Sequence, residues 1–245
     1  MNRFLFDPTA GDGNIILLSK EESRHIAKSL RLRAGTEIEL FDGKGTVFGA
    51  VILEVGRRVK VRLNHCLGRG DIQAKPVRVL QGMLKGKKMD TLVQKCTELG
   101  AASFHPFTSG RCQVRADKTQ NNRRQERWQR ITIAACKQCL RNQPLLLQET
   151  VPFAELLELD GLDSHPLRLL FWEEEKEVRL SDLPPFDQFD SVHLLLGPEG
   201  GFSKEEVQLA GAGGWKAVSL GERILRAETA TLSALSIAQY LAGNI

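Results

Sequence analysis

Leu194-Leu195-Leu196-Gly197-Pro198-Glu199-Gly200-Gly201-Phe202-Ser203 is an apolar run that breaks at glycine and gives way to a helical pattern. The same order recurs in Leu220-Gly221-Glu222-Arg223-Ile224-Leu225-Arg226-Ala227-Glu228-Thr229-Ala230. α/β proteins present backbone to a ligand in this way, at the carboxyl ends of their strands. Glycine removes the side chains that would block close approach. The two stretches predict one ligand-binding edge late in the chain.

Working outward, the segment from residue 77 alternates strand and helix patterns, which implies a mainly parallel sheet. Strands are expected at 77–83, 104–107, 145–148, 167–172, 192–196 and 217–220, and helices at 87–99, 123–140, 153–159, from 203, and 229–241. The acidic run 173–177 reads as an exposed loop. Ahead of a polar, proline-ended linker at 71–76, residues 1–70 form a β-rich module with strands at 3–6, 15–18, 37–41, 47–54 and 58–63. Asp42-Gly43-Lys44-Gly45 is a hairpin signal, and Ser19 with Glu22 a capping box for one helix. The domain scheme is therefore 1–70, a linker at 71–76, and an α/β domain at 77–245.

The 245 residues carry a net charge of +4 that hides a partition. The balance is +4 over residues 1–70, +10 over 71–145 and −10 over 146–245. A basic front suggests a polyanionic partner, and nucleic acid is favoured over solvated helix faces. No apolar run approaches a membrane span, and the N-terminus lacks a signal-peptide core, so no membrane association and a cytoplasmic location are expected. Five cysteines, an odd count, fit a reducing compartment. The spacing of Cys136 and Cys139 reads as packing on one helix face.

Several chemistries lack their residues. Gly82–Lys88 is one residue short of a P-loop and has no Ser or Thr after the lysine. A GxGxxG fingerprint, a GxSxG elbow and metal-ligand spacing among the histidines are all missing, so no metal is expected.

The two glycine blocks closely resemble the signature of the SPOUT methyltransferases, and within them the RsmE family of 16S ribosomal RNA uridine-N3 methyltransferases. The resemblance extends over Arg24-His25, Leu30-Arg31, Lys87-Lys88-Met89, Gln94-Lys95, Glu98-Leu99-Gly100, Arg111-Cys112 and the stretch from Ala134 to Asn142. It implies a small N-terminal PUA-like β-barrel, a C-terminal α/β domain with a trefoil knot, S-adenosyl-L-methionine as cofactor, and a homodimer. The partner it implies is 16S ribosomal RNA or the small ribosomal subunit.

Under that resemblance Leu196, Gly197, Glu199, Gly200, Gly201, Leu220, Gly221, Ile224, Leu225, Arg226, Glu228 and Thr229 are expected to bind the cofactor. Arg226, Glu199, Glu98 and Arg141 are the catalytic candidates, with Gln138 and Asn142 beside them. The bland alternative for Glu98 and Arg141 is an ion pair between helices, and for Glu228 and Thr229 helix capping. Arg24, His25, Arg31, Lys85, Lys87, Lys88, Arg111, Arg123, Arg124 and Arg127 are expected to contact RNA. Two rival readings remain: a SPOUT methyltransferase of other base or ribose specificity, and an inactive RNA-binding ribosome-assembly factor. Retention of both glycine blocks argues against the second.

Overall fold

A computed structural model describes residues 2–70, 75–113, 118–158 and 163–245. Residues 71–74 of the expected linker and the expected helix end at 159 lie outside them. The chain divides into two compact units, Met1–Ile72 with Cys136–Pro144, and Gln73–Ala135 with Leu145–Ile245. Sequence pattern had assigned 136–144 to the second domain. The segment groups with the first because Cys136 is buried against Phe41 and Val47, and the Gln143 amide donates to Lys44 O at 3.0 Å. That packing is also the place of Cys136 in its CxxC spacing.

In the first unit β1 (Arg3–Leu5), β2 (Gly11–Asp12), β3 (Ile15–Leu17), β4 (Glu37–Phe41), β5 (Thr46–Val55) and β6 (Val59–Arg69) form a mixed sheet of order β1-β4-β5-β6-β3-β2. Only β1 and β4 pair in parallel among these described strands. Alternate side chains, Ile38 and Leu40, Ala50 and Ile52, Val59 and Val61, fill one core, as a period of two requires. The Asp42 carboxylate closes the β4–β5 turn by accepting from the amides of Lys44 at 2.7 Å and Thr46 at 2.9 Å.

Ser19 caps α1 (Lys20–Arg24) by accepting from the Glu22 amide at 3.1 Å. The helix expected to continue does not stay α-helical. His25–Leu30 widens into a π-helical turn, ended by Arg31 at φ 52°. This leaves Arg24 and Arg31 exposed, while His25 packs edge-on to Phe4.

The second unit runs β7 (Val77–Gly82), α2 (Lys88–Glu98), β8 (Ser103–Thr108), α3 (Lys118–Cys139, whose last turn from Cys136 groups with the first unit), β9 (Leu146–Leu147), β10 (Val151–Pro152), α4 (Phe153–Leu157), β11 (Pro166–Phe171), β12 (Ser191–Leu196), α5 (Lys204–Ala212), β13 (Lys216–Val218) and α6 (Ala227–Leu241). The strands pair in parallel throughout, in the order β10-β8-β7-β12-β11-β13, with β9 on β8. All six residues of β12 are buried, which is why this strand reads as a continuous apolar run. Leu194 and Leu196 face a layer built from α2 and α6 through Met89, Leu92, Leu235 and Ala238. Leu195, in register with Leu80 and Leu170, faces Phe153, Leu156 and Trp215.

One sheet face carries a buried polar group near the amino ends of the strands. The Arg78 guanidinium clamps Asp163 at 2.7 and 2.9 Å, and His193 Nε2 lies 2.8 Å from the same carboxylate. Burial pushes the Asp163 acid up, but hydrogen bonds from Arg78, His193 and Ser191 outweigh it and hold the carboxyl well below its usual range. His105 is buried with Nε2 on Ser103 at 2.7 Å and no partner for Nδ1 among the described residues. Burial first, then the positive charge of Arg78 and His193, lowers its pKa to about 4.

The unfolded chain therefore binds a proton at residue 105 below pH ~6.5 that the folded chain refuses until about pH 4. Stability should fall across that window as pH drops, by up to about 3 kcal/mol from this group. The melting temperature measured from pH 7 to pH 4 should decline more steeply for the unsubstituted protein than for His105→Gln. Equal slopes would remove His105 from the account.

Candidate active site

The carboxyl ends of β11 and β12 and the stretch after β13 surround a cavity of about 430 Å³, within the size of ordinary small-molecule sites. Its walls come from three stretches: Phe171–Lys176 after β11, Leu196–Phe202 after β12, and Ser219–Ala227 leading into α6, with Lys88 and Ala230 completing it.

Backbone geometry explains the glycines. A side chain at Gly82 would put its Cβ 2.5 Å from the Pro198 nitrogen, so the end of β7 and the loop after β12 touch only because Gly82 has none. Gly201 has φ 67°, the left-handed region that glycine adopts without strain, and its missing Cβ would lie 2.1 Å from Glu173 Oε1. After this loop Ser203 and Glu206 cap α5 reciprocally at 3.2 and 2.9 Å.

Charge ties the walls together. Lys88 Nζ lies 3.2 Å from Glu199 and 3.4 Å from Glu228, and Glu199 also accepts from the Lys85 amide at 3.1 Å. The hydrogen bond to Glu199, supported by Glu228, raises the Lys88 pKa against the opposing effect of burial. Burial pushes the Glu199 acid up, but the Lys85 amide and Lys88 outweigh it and keep the carboxyl below its usual range. Arg111 Nη1 donates to Gly200 O at 3.2 Å and Phe202 O at 3.0 Å, bracing the glycine loop from outside.

The lining fits the expected cofactor. Leu196, Leu220 and Leu225 offer apolar walls to a flat base, the glycine loops offer backbone groups, and Glu173, Lys176, Arg223 and Arg226 offer charges for an amino-acid end. Among the described residues no cluster of His, Cys, Asp or Glu could hold a metal.

Comparison with known proteins decides the family. Residues 72–239 match the family model of the RNA methyltransferase domain, and residues 18–63 match the RNA methyltransferase PUA domain. The chain belongs to the ribosomal RNA small subunit methyltransferase E family. A Legionella pneumophila structure in complex with the cofactor SAM is 33% identical, with a TM-score of 0.88 over 97% of this chain and 96% of that one. The ribosomal RNA small subunit methyltransferase E from Neisseria gonorrhoeae, bound to S-adenosyl methionine, is 31% identical, with a TM-score of 0.87 over 98% of both chains. The Bacillus subtilis enzyme of the same name is 29% identical over 91% of this chain and 89% of its own. These neighbours carry the SPOUT α/β fold with an N-terminal PUA domain expected from the resemblance.

The structure brings together Leu196, Gly197, Glu199, Gly201, Leu220, Gly221, Ile224, Leu225 and Arg226 around the cavity. Gly200, Glu228 and Thr229 stand just outside the lining. Glu228 reaches it through Lys88, and Thr229 is exposed on the first turn of α6. Glu98 is not brought there. It ends α2, ten residues or about 15 Å beyond Lys88, and its carboxylate takes Lys95 at 2.7 Å and Gln94 at 2.9 Å. Arg141 belongs to the first unit, after Leu140 at φ 64°.

Of the residues expected on RNA, Lys85, Lys87, Arg123 and Arg127 are exposed; Arg127 also pairs with Asp90, and Arg124 bonds Asn121. Sequence reasoning missed Phe171, Trp172, Glu173, Lys176 and Ser219. The signal was available for the first four, because they follow a strand of the same parallel sheet at its carboxyl end.

Gly201→Ala forces a strained φ and a clash with Glu173; it should weaken S-adenosylmethionine binding by about tenfold or more in calorimetry. Lys88→Met leaves Glu199 and Glu228 facing each other without their cation and should weaken it several-fold. Unchanged affinity in both would show that these contacts do not shape the cavity.

Proposed function

We infer that the protein is an S-adenosylmethionine-dependent methyltransferase of small-subunit 16S ribosomal RNA. The observation that carries this is the cavity itself, built from both glycine blocks in a chain whose relatives of that name share its length and fold. S-adenosylmethionine, when bound, supplies an electrophilic methyl group. The Leu196–Gly201 loop and the Leu220–Arg226 stretch would hold it, with the apolar side chains around its base.

The finer reading is that N3 of a uridine is the acceptor, supported by the RsmE pattern in both blocks. That nitrogen carries a proton in its resting form, so the protein must favour its loss before attack. Arg226 suits this task. It precedes α6 as its N-cap, lines the cavity, and is exposed. Its guanidinium would stabilise negative charge developing on the uridine ring. Glu199 is already neutralised by Lys88, so it is better suited to holding the loop than to taking the proton.

RNA would be held by the exposed cations Arg24 and Arg31 of the first unit and by Lys85, Lys87 and Arg123 of the second. A homodimer is supported by apolar side chains on one face of α6, where Ile237, Tyr240 and Leu241 are exposed. The knot is supported by the return of the chain from edge strand β13 to pack α6 against β12 and β7. No helix among the described residues is long and apolar enough to cross a membrane. Activity on ribosomal RNA would place the protein in the cytoplasm.

Labelled S-adenosylmethionine should methylate naked 16S RNA or isolated small subunits, and mapping should place the label on uridine N3. A label on ribose or another base would replace the specificity, and no transfer to either substrate would overturn the activity. Arg226→Ala should cut turnover far more than cofactor affinity, and equal loss of both would end its assignment. Replacing Lys85, Lys87 and Arg123 together should lower the salt dependence of RNA binding, since each phosphate contact releases counterions. An unchanged salt slope would rule that surface out.

A further inference from the structure

Gln81 lies at the end of β7, one residue before the contact between Gly82 and Pro198, and is fully buried. Its Nε2 donates to Gly82 O at 3.0 Å and to Gly197 O at 3.1 Å. Both partners are acceptors, so the orientation of the amide is fixed and Oε1 must accept. It does so from the Thr231 hydroxyl at 2.5 Å. Ala227 O also lies 2.9 Å from that hydroxyl. It is four residues back in α6, however, and takes the Thr231 amide in the helical ladder. Gln81 Oε1 can only accept and lies nearer, so the single hydroxyl proton goes to Gln81.

Thr231 is fully buried as well, and neither side chain lines the cavity. Gly197, held by the Gln81 amide, does line it, as does Ala227, about one helical turn before Thr231. One amide shielded from water thus links the first glycine wall to the helix that follows the second. Lys88 makes a parallel link at the rim, between Glu199 and Glu228. The rim link is ionic and partly solvated, so salt weakens it. The inner link is neutral and dry, so moving the walls apart would strand buried polar groups.

We propose that Gln81 and Thr231 are positioning residues for cofactor binding: their hydrogen bond fixes the spacing of the two walls before the cofactor arrives. This rests on the reading of the cavity as the S-adenosylmethionine site. A cavity held at its bound spacing avoids ordering its walls on binding, and affinity rises by that saving.

The test is calorimetric binding of S-adenosylmethionine together with thermal unfolding. Thr231→Val keeps the shape and deletes the donor, and should weaken binding about tenfold in a folded protein. Thr231→Ser keeps the hydroxyl and should bind within about twofold of the unsubstituted protein. A purely structural pair would lower the melting temperature of Thr231→Val and leave its affinity untouched, and that result overturns the proposal. Should Thr231→Val fail to fold, Gln81→Met carries the same expectation, and unchanged affinity there overturns it equally. Failure of both to fold also overturns it, because the pair would then serve the fold rather than the site. No binding by the unsubstituted protein would instead remove the cofactor reading and leave the hydrogen bonds as they are.

Discussion

The contact between the end of β7 and the loop after β12 is the constraint on which the site depends. Gly82 and Pro198 approach so closely that a Cβ on Gly82 would lie 2.5 Å from the Pro198 nitrogen. Two adjacent parallel strands diverge into different loops at their carboxyl ends, and those loops usually separate. Here they stay in contact, so the Lys85 amide and the Lys88 ammonium reach Glu199 across the gap. The same turn reaches α6 through Glu228 at the rim and through Thr231 beneath it. The cavity is what remains between loops held at that distance.

Charge is used twice in this chain, and the two uses are distinct. Some cations brace the protein itself: Arg111 holds the carbonyls of Gly200 and Phe202, Lys88 joins two carboxylates, Arg78 clamps Asp163 and Arg127 pairs with Asp90. Arg24, Arg31, Lys85, Lys87 and Arg123 stand exposed, and so do Arg111 and Arg127 of the bracing group. The balance of +10 over residues 71–145 therefore overstates the surface available to a polyanion. The acidic rear contributes to the site, since Glu173, Glu199 and Glu222 line the cavity while remaining exposed.

Secondary structure in the second unit was legible because its core is periodic. Leu194 to Leu196 alternate between two apolar layers, and both layers are filled. The helix after Arg24 was less legible. Its apolar spacing fits an α-helix, but the backbone there widens to a π turn that side-chain pattern does not encode. The return of Cys136–Pro144 to the first unit was hidden for a similar reason. A continuous helical pattern gives no sign of which core its last turn enters.

By itself the sequence determined the order of the longer strands and helices, the parallel sheet, and the two glycine-broken loops of the cofactor cavity, because local periodicity and glycine placement are properties of neighbouring residues. Which other residues stand at that edge was decided by tertiary structure alone. Gln81 and Thr231 are separated by 150 residues and meet in a single hydrogen bond. In the sequence Glu98 was a catalytic candidate and Lys88 an RNA contact, yet the two sit at opposite ends of one helix, and only the end bearing Lys88 reaches the cavity. Pattern reports what a residue is beside in the chain. Only the folded strand order sets what it is beside in space.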